Sequence, residues 1–412
     1  MKHGIAKWIR IHVNKVAGSI AFIPAVIAIG FLLLSWGMLE IDFSGWGKQV
    51  KSTLTWLTLK DASTARSIIS TVAGAIISLT VFSFSMVMIV LNQAASQMSN
   101  RVLSSMIENR FQQVVLGFYI GTIVYALFLL TTIRDINSGI YVPALSIYLL
   151  ILLTVIDIFL FIYFLDYVTQ TVKYETVIRR VERQTFQTMQ RKFCTGQPVL
   201  PAWEGMSCTE IATPESNYYQ GFKPATLVSL AAARNCYIAV VRKEAEYLLK
   251  NTVFARIYAK DKPGEACVQA VTASFDFFKG QPIDVNADYG FNQLAEVAIK
   301  ALSPGINDPA TAVISIHALT SLFAHRLVLH PQEVFADSDG VARVTVYYHR
   351  FEALFRKCIY PIWNYGKNDQ YVQDGLLDML RQLKGADKAG QYAGLFNTLA
   401  DKIQKTVDQQ TA

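Results

Sequence analysis

The stretch between Arg66 and Arg101 contains no charged residue, and it places the strongest constraint on what this chain can form. Its first part, residues 67–91, is predominantly apolar. At a rise of about 1.5 Å per residue, a helix of this length can cross roughly 30 Å of hydrocarbon. The stretch therefore predicts a transmembrane helix, and with it a membrane protein.

One face of this predicted helix carries mostly small or polar side chains. They recur at alternating steps of four and three residues, which is the spacing of a single helix face. Small residues and hydroxyls favour close packing between helices in lipid. The same face could instead line a polar path in an oligomer. Both interpretations stay open for this face, which comprises Ser67, Thr71, Gly74, Ser78, Ser85 and Asn92, with Val81, Met88, Ala95 and Ser99 at the remaining steps.

The composition indicates a membrane part followed by a soluble part. Hydrophobic residues make up 52% of the 412 residues and charged residues 17%, a balance that is unusual for a wholly soluble protein. We predict four transmembrane helices and a mainly helical cytoplasmic α+β domain. The predicted spans are about 16–39, 67–91, 114–133 and 141–165. The predicted domains are 1–170 (transmembrane), 171–205 (basic juxtamembrane helix and linker) and 206–412 (cytoplasmic).

The flanks of the predicted spans indicate their orientation. Lysine and arginine are more frequent on the side that carries both termini, which predicts a cytoplasmic N-terminus and a cytoplasmic C-terminal domain. All five cysteines follow the last span without metal-type spacing, so we expect reduced thiols. In the third span, Gly117 and Gly121 form a G-x-x-x-G pair, which favours close helix packing.

Asp157 is the acidic residue inside the fourth predicted span. A carboxylate at membrane depth is costly, so such residues are candidates for function. The structural alternative is that Asp157 stays protonated or accepts a hydrogen bond from Ser83 or Ser85 at a similar depth. The two interpretations have equal weight at this point.

One loop of the soluble part contains residue types that end one helix and begin the next. Proline and glycine end one predicted helix, and an aspartate followed by proline is placed to cap the next helix. A helix N-terminus can also hold an anion, but the aspartate would oppose that, so capping is favoured. The loop residues are Ser303, Pro304, Gly305, Asn307, Asp308 and Pro309.

No catalytic, cofactor-binding or metal-binding motif stands out in the sequence. Phosphate-binding loops, dinucleotide-binding glycine motifs, a nucleophile elbow and a zinc-protease motif are all missing from it. The net charge of +7 comes without a dense basic run interleaved with aromatic residues. We therefore expect a protein that is not an enzyme, has no cofactor and does not bind nucleic acid.

Two stretches carry a resemblance to a known family. The chain resembles the bacterial membrane proteins grouped as domain of unknown function 2254, through 70–74, 93–97, 100–103 and 113–117, and then through 289–294 and 301–312. The resemblance implies an integral protein of the bacterial inner (plasma) membrane with a cytoplasmic C-terminal region, and no established activity. Members usually carry His-His and Gln-Asp pairs where this chain has Asp166-Tyr167 and Val285-Asn286. A role that depends on those histidines is not carried over.

Two functions are favoured on this evidence. The first is an oligomeric channel or transport-like protein with a cytoplasmic regulatory domain, in which the small and polar helix face forms the path. The alternative is a membrane-anchored sensor or scaffold whose cytoplasmic domain binds a partner or metabolite. We expect the lipid bilayer and further copies of the same chain as partners.

Overall fold

A computed structural model describes residues 21–53, 61–97, 110–136, 139–171, 173–194, 205–280 and 282–411. These residues form two compact units. The first unit contains the described residues up to Ser96 and from 110 to Lys173, and the second contains Gln97 and the described residues from Tyr174 onward. Each unit has its own packed interior.

The first unit is built almost entirely from helices. Its elements are α1 (Phe22–Phe43), α2 (Gly45–Thr53), α3 (Ala62–Gln97), α4 (Arg110–Thr132), a hairpin of β1 (Arg134–Ile136) and β2 (Gly139–Tyr141), and α5 (Ala144–Thr171). Asp61 caps α3 by accepting a hydrogen bond from the Thr64 amide at 2.8 Å. The predicted stretch 67–91 lies inside α3, which extends beyond it at both ends. The beginning of the predicted first span falls outside the described residues.

Five helices in the described part of the chain are long and apolar enough to cross a membrane. Four belong to the first unit: Phe22–Phe43, Ala62–Val90, Arg110–Thr132 and Ala144–Gln170. The fifth, Pro309–Val328, belongs to the second unit, where its most apolar window is 61% buried, against 17–44% for the other four. Length and composition therefore allow one more span than the four that the sequence predicts.

Helices α1 and α4 approach each other closely at two glycines. A Cβ atom on Gly117 would lie 2.6 Å from the Cδ1 atom of Ile27, and one on Gly121 would lie 2.7 Å from the Phe31 ring. These separations are shorter than van der Waals contact, so only glycine allows the two backbones to come this near. The close packing predicted from the G-x-x-x-G pair is confirmed.

The second unit begins with α6 (Tyr174–Lys192) and continues as a sheet region. The strands are β3 (Phe193–Cys194), β4 (Ser207–Ala212), β5 (Asn217–Phe222), β6 (Tyr237–Val240), β7 (Tyr247–Leu248), β8 (Val253–Ala259), β9 (Phe275–Phe277), β10 (His330–Pro331), β11 (Val334–Ala336) and β12 (Ala342–Val346). The main sheet has the order β11-β12-β6-β8-β4, and the pair β12–β6 is parallel. Strands β7-β5-β9 form a smaller sheet, and β10 pairs with β3.

Helices make up the rest of the second unit. They are α7 (Pro224–Ala233), α8 (Glu265–Thr272), α9 (Ala287–Ala301), α10 (Pro309–Val328), α11 (Phe351–Gly366), α12 (Gln370–Ala386) and α13 (Ala393–Thr411). Phe291, Phe323, Phe355 and Phe396 pack edge-on or tilted against one another in their interior. At Gly290 in α9 an added Cβ would overlap the Thr185 hydroxyl of α6, so these two helices also pack closely at a glycine. The mixture of helices and sheets confirms the predicted α+β character.

We predict that the double substitution Gly117→Ala and Gly121→Ala destabilises the first unit, because the added methyl groups overlap Ile27 and Phe31. Overpacking of this kind typically costs about 1–3 kcal/mol. The matched control is Gly30→Ala with Gly37→Ala in α1, where an added Cβ meets nothing within 4 Å. Thermal unfolding of the purified full-length protein should show a lower melting temperature only for the first pair. Equal melting temperatures for the two pairs would contradict the packing.

Candidate functional site

The small and polar face of α3 points away from the described residues of the first unit. Ser67, Thr71, Gly74, Ser78, Ser85 and Asn92 are all exposed. The opposite face is the one that packs, and there Ala65, Ile69 and Ile76 are at most 2% exposed. A Cβ on Gly74 would meet nothing within 4 Å. Packing and path lining would therefore both need a second molecule on this face.

The hydroxyls of α3 are partly satisfied by the helix itself. The Ser78 hydroxyl donates to the Gly74 carbonyl at 3.0 Å, and the Thr80 hydroxyl donates to the Ile76 carbonyl at 2.7 Å. Such bonds let a serine or threonine face lipid at a small cost. Exposure of the face to lipid in a single chain is therefore tolerable.

Four buried polar side chains come together inside the first unit, from three helices. Ser83 lies on α3, Tyr119 and Thr122 on α4, and Asp157 on α5. Thr122 is 1% exposed and the other three are 0% exposed. The Thr122 hydroxyl lies beside the Asp157 carboxylate. Tyr119 lies beside Ser83 and within electrostatic range of Asp157. We call these four residues the polar cluster.

Two pairs of these polar atoms are neighbours, the Thr122 hydroxyl with the Asp157 carboxylate and the Tyr119 hydroxyl with Ser83, but neither pair has full hydrogen-bonding geometry. Ser83 Oγ, Tyr119 OH, Thr122 Oγ1 and both carboxylate oxygens of Asp157 have no partner in hydrogen-bonding geometry among the described residues. Most buried polar atoms in proteins have such a partner. These two neighbouring pairs of buried oxygens therefore leave a proton, an ion or a solvent molecule as the group that could satisfy them.

Asp157 lies at the middle of its helix. It is the fourteenth of the 27 residues of the apolar segment Ala144–Gln170, which puts it about 20 Å from either end. Isolated charges at such a position are expensive and are usually neutralised. Ser83 belongs to the cluster, whereas the other hydroxyl considered from the sequence, Ser85, is exposed.

A second buried acid of the same unit has a full set of hydrogen-bond donors around its carboxylate. Asp42, at the end of α1, is 0% exposed. Its carboxylate accepts from the Lys51 ammonium at 2.8 Å and from the amide and hydroxyl of Ser146, both at 2.8 Å. Asp42 therefore ties α1, α2 and α5 together as a neutralised structural acid. Among the described residues, no comparable set of hydrogen-bond donors surrounds the Asp157 carboxylate.

Sequence reasoning missed Tyr119, Thr122 and Asp42. Tyr119 and Thr122 lie in an ordinary apolar helix, and only the helix register brings them to Asp157. Their spacing of three residues places them on one face of α4, and this was the signal that could have found them. Asp42 lies near the end of an apolar run. Acidic residues are common at such positions, so the sequence gives no reason to single it out.

The loop before α10 is a helix cap. The Asp308 carboxylate accepts from the Thr311 amide at 3.1 Å and from the Thr311 hydroxyl at 2.5 Å. Asn307 has a φ of 49°, a conformation that asparagine tolerates better than most residues. Pro309 begins the helix and the Ser303 hydroxyl donates to the Lys300 carbonyl at 2.7 Å. The capping predicted for Asp308 is confirmed.

Two further groups of charges lie in the second unit. Glu244 is 5% exposed and faces the Lys192 ammonium at 3.7 Å, in a space that Gly221 leaves open. Burial raises the pKa of Glu244 to about 7, although Lys192 opposes the shift.

Separately, a cavity of about 590 Å³ is lined by charged side chains of both signs, among them Arg242, Lys243, Asp288, His349 and Lys357.

Among the described residues, no group of three or more histidine, cysteine, aspartate or glutamate side chains could hold a metal ion. The polar cluster is a different kind of site, because it offers one carboxylate and three hydroxyls. Oxygen ligands of this kind suit a proton or a hard cation.

The fold and the site together define a multi-helix membrane protein with a sheet-containing second unit. The chain belongs to the predicted membrane protein family known as domain of unknown function 2254, whose model matches residues 17–382. Uncharacterized proteins of Mycobacterium bovis and Mycobacterium tuberculosis are each 25% identical to it over 333 residues, which is 77% of this chain. The chain spans 63% of the length of these relatives. No solved structure matches it.

We predict that Asp308→Ala removes the cap of α10 and costs about 1 kcal/mol, which lowers the melting temperature of the full-length protein. Asp308→Asn is the control, because asparagine caps about as well as aspartate. An asparagine variant as unstable as the alanine variant would show that the negative charge, and not the cap, is required. Unchanged stability in both variants combined with lost function in cells would make the loop a functional site.

We predict a pH dependence from Glu244. Its pKa is about 7 in the folded protein and near 4.5 in the unfolded chain. Between these values the folded protein keeps a proton that the unfolded chain has lost, so stability falls as the pH rises through this window. The loss approaches about 3 kcal/mol above the window. Melting temperatures should fall more steeply from pH 4.5 to 7 in the natural protein than in Glu244→Gln. Parallel curves would contradict this assignment.

Proposed function

We propose that this protein is an oligomeric, channel- or transport-like protein of the bacterial inner membrane, with a cytoplasmic regulatory domain. The observation that carries the proposal is the outward small and polar face of α3. This helix packs within its chain through the opposite face and leaves a continuous row from Ser67 to Asn92 exposed. Small residues in lipid favour close contact with another helix, and hydroxyls favour a polar path.

We propose four membrane spans, which are the four apolar helices of the first unit. The fifth apolar helix, Pro309–Val328, is better suited to the interior of the second unit because 61% of its apolar window is buried there. Arg326 lies in its last turn, is 4% exposed, and donates hydrogen bonds to the Leu329 and His349 carbonyls. A helix held in this way belongs to a folded core more readily than to lipid.

The proposed orientation has both termini and the second unit in the cytoplasm, as the distribution of lysine and arginine favours. We propose that the chain carries out no catalysis, uses no cofactor and does not bind nucleic acid. Its proposed partners are the lipid bilayer and further copies of the same chain.

A sensor or scaffold is the second candidate, and a separate observation favours it. The charged cavity of about 590 Å³ in the second unit is large enough for a metabolite. In that case the membrane helices would serve as an anchor, and the row on α3 would be a dimer contact without a path.

We predict that a cysteine at Ser78 forms a cross-link between two copies of the chain in native membranes, because this position lies on the proposed contact. The background is the chain with its five native cysteines replaced by alanine. The matched control is Ser70→Cys, which is also exposed but lies off the row. Dimer formation at both positions or at neither would contradict self-association through this face.

The variants Gly74→Leu and Ser78→Asp then separate a dry contact from a path. A bulky leucine should weaken the oligomer under either interpretation. An aspartate should abolish assembly if the contact is dry, because an unpaired carboxylate there is expensive. It should leave assembly intact and change ion preference if the face lines a path, as measured by currents in planar bilayers. An assembled Ser78→Asp protein without currents would favour the sensor or scaffold.

A further inference from the structure

We propose that the polar cluster of Ser83, Tyr119, Thr122 and Asp157 is a binding site for a dehydrated, hard monovalent cation such as sodium, with which a proton competes for the Asp157 carboxylate. The site would hold the ion at the middle of the membrane helices. As the assignment of a transported ion, this inference rests on the proposed transport function; as a binding site, it can be measured without transport.

The first support is the number of unsatisfied ligand atoms. Five oxygens lack a hydrogen-bond partner among the described residues, and all four side chains that carry them are at most 1% exposed. A cation at the Asp157 carboxylate and the neighbouring Thr122 hydroxyl is attracted by several oxygens at once, whereas a single proton satisfies only one or two. The hydroxyls can turn their hydrogens away from the ion and present their lone pairs.

The second support is the charge of the surroundings. Inside the helices α1, α3, α4 and α5, no lysine, arginine or histidine lies closer to the centre than Arg66 and Arg110 near the helix ends. The acids Glu40, Asp42 and Asp166 also lie near helix ends, and Asp42 is already paired with Lys51. A monovalent cation exactly cancels the one carboxylate in the cluster. A divalent cation would leave a net positive charge in an apolar interior, and it normally recruits more carboxylates than one.

The third support is the division of the site among helices. The ligands come from three helices, α3, α4 and α5, and the surrounding side chains are apolar, including Ile76, Val115 and Phe164. Small movements between these helices would therefore change the coordination of the ion. This is the arrangement that binding and release in a transport cycle require. The same helix α3 carries the row of small and polar residues on its opposite side.

The test uses the purified full-length protein in detergent and a hydrophobic carbodiimide, which reacts with protonated carboxyl groups in apolar surroundings. Modification of Asp157 is quantified by mass spectrometry of its peptide. We expect modification in choline buffer, suppression by sodium, and little suppression by potassium at the same concentration. Because the proton competes, the sodium concentration that gives half protection should rise by about tenfold for each unit that the pH falls.

Two variants and one internal reference residue control the experiment. Thr122→Val keeps the size of the side chain and the carboxylate but removes one ligand, so Asp157 should still be modified while protection requires at least about tenfold more sodium. Asp157→Asn should abolish modification. Asp42, which is buried and paired with Lys51, should stay unmodified throughout and reports that the fold is intact.

Equal protection by sodium, potassium and choline would overturn the inference, as would unchanged sodium protection in Thr122→Val. Absence of modification under every condition would overturn it too, because the carboxyl would then not exchange a proton for an ion. Uptake of radioactive sodium into proteoliposomes distinguishes the site from the proposed function. Protection without uptake keeps the site and contradicts transport, whereas uptake without protection keeps transport and contradicts the site.

Discussion

A carboxylate in the interior of a membrane has to be neutralised by a neighbouring cation, by a proton or by a bound ion, because the surroundings supply no water. The first unit contains two buried carboxylates, and they meet this requirement differently. Asp42 is neutralised by Lys51 and by the amide and hydroxyl of Ser146, and so holds three helices together. Asp157 has the Thr122 hydroxyl beside it and no basic residue paired with it among the described residues, and the proposed cation or a proton would neutralise it.

The position of Asp157 is linked to the way in which the surrounding helices pack. To bring Thr122 and Tyr119 to Asp157, α4 has to present one face to α5, and its other face is then free to meet α1. There Gly117 and Gly121 remove the side chains that would keep the backbones apart. Helix α3 completes the cluster with Ser83 and turns its row of small residues outward. The packing of the unit and the location of its polar atoms therefore follow from the same helix registers.

Local features could be predicted from the sequence, and features that depend on several helices could not. The Asp308 cap and the G-x-x-x-G contact each depend on a few neighbouring residues, and both are present. Long apolar runs also located the helices of the first unit, with ends that differ by several residues. The polar cluster depends on three helix registers, so Asp157 was recognised while Tyr119 and Thr122 were not. In the second unit, short strands such as β9 (Phe275–Phe277) are too brief to leave a periodic pattern.

The proposed cation site requires Asp157 to be neutral in the folded protein and to exchange its proton for a monovalent cation. Infrared difference spectroscopy of the full-length protein in lipid measures this directly. When sodium replaces choline, we expect loss of a protonated-carboxyl C=O stretching band and gain of carboxylate bands, and we expect both changes to be absent in Asp157→Asn. A spectrum that does not change with sodium, or a change that persists in Asp157→Asn, would contradict the proposed cation site.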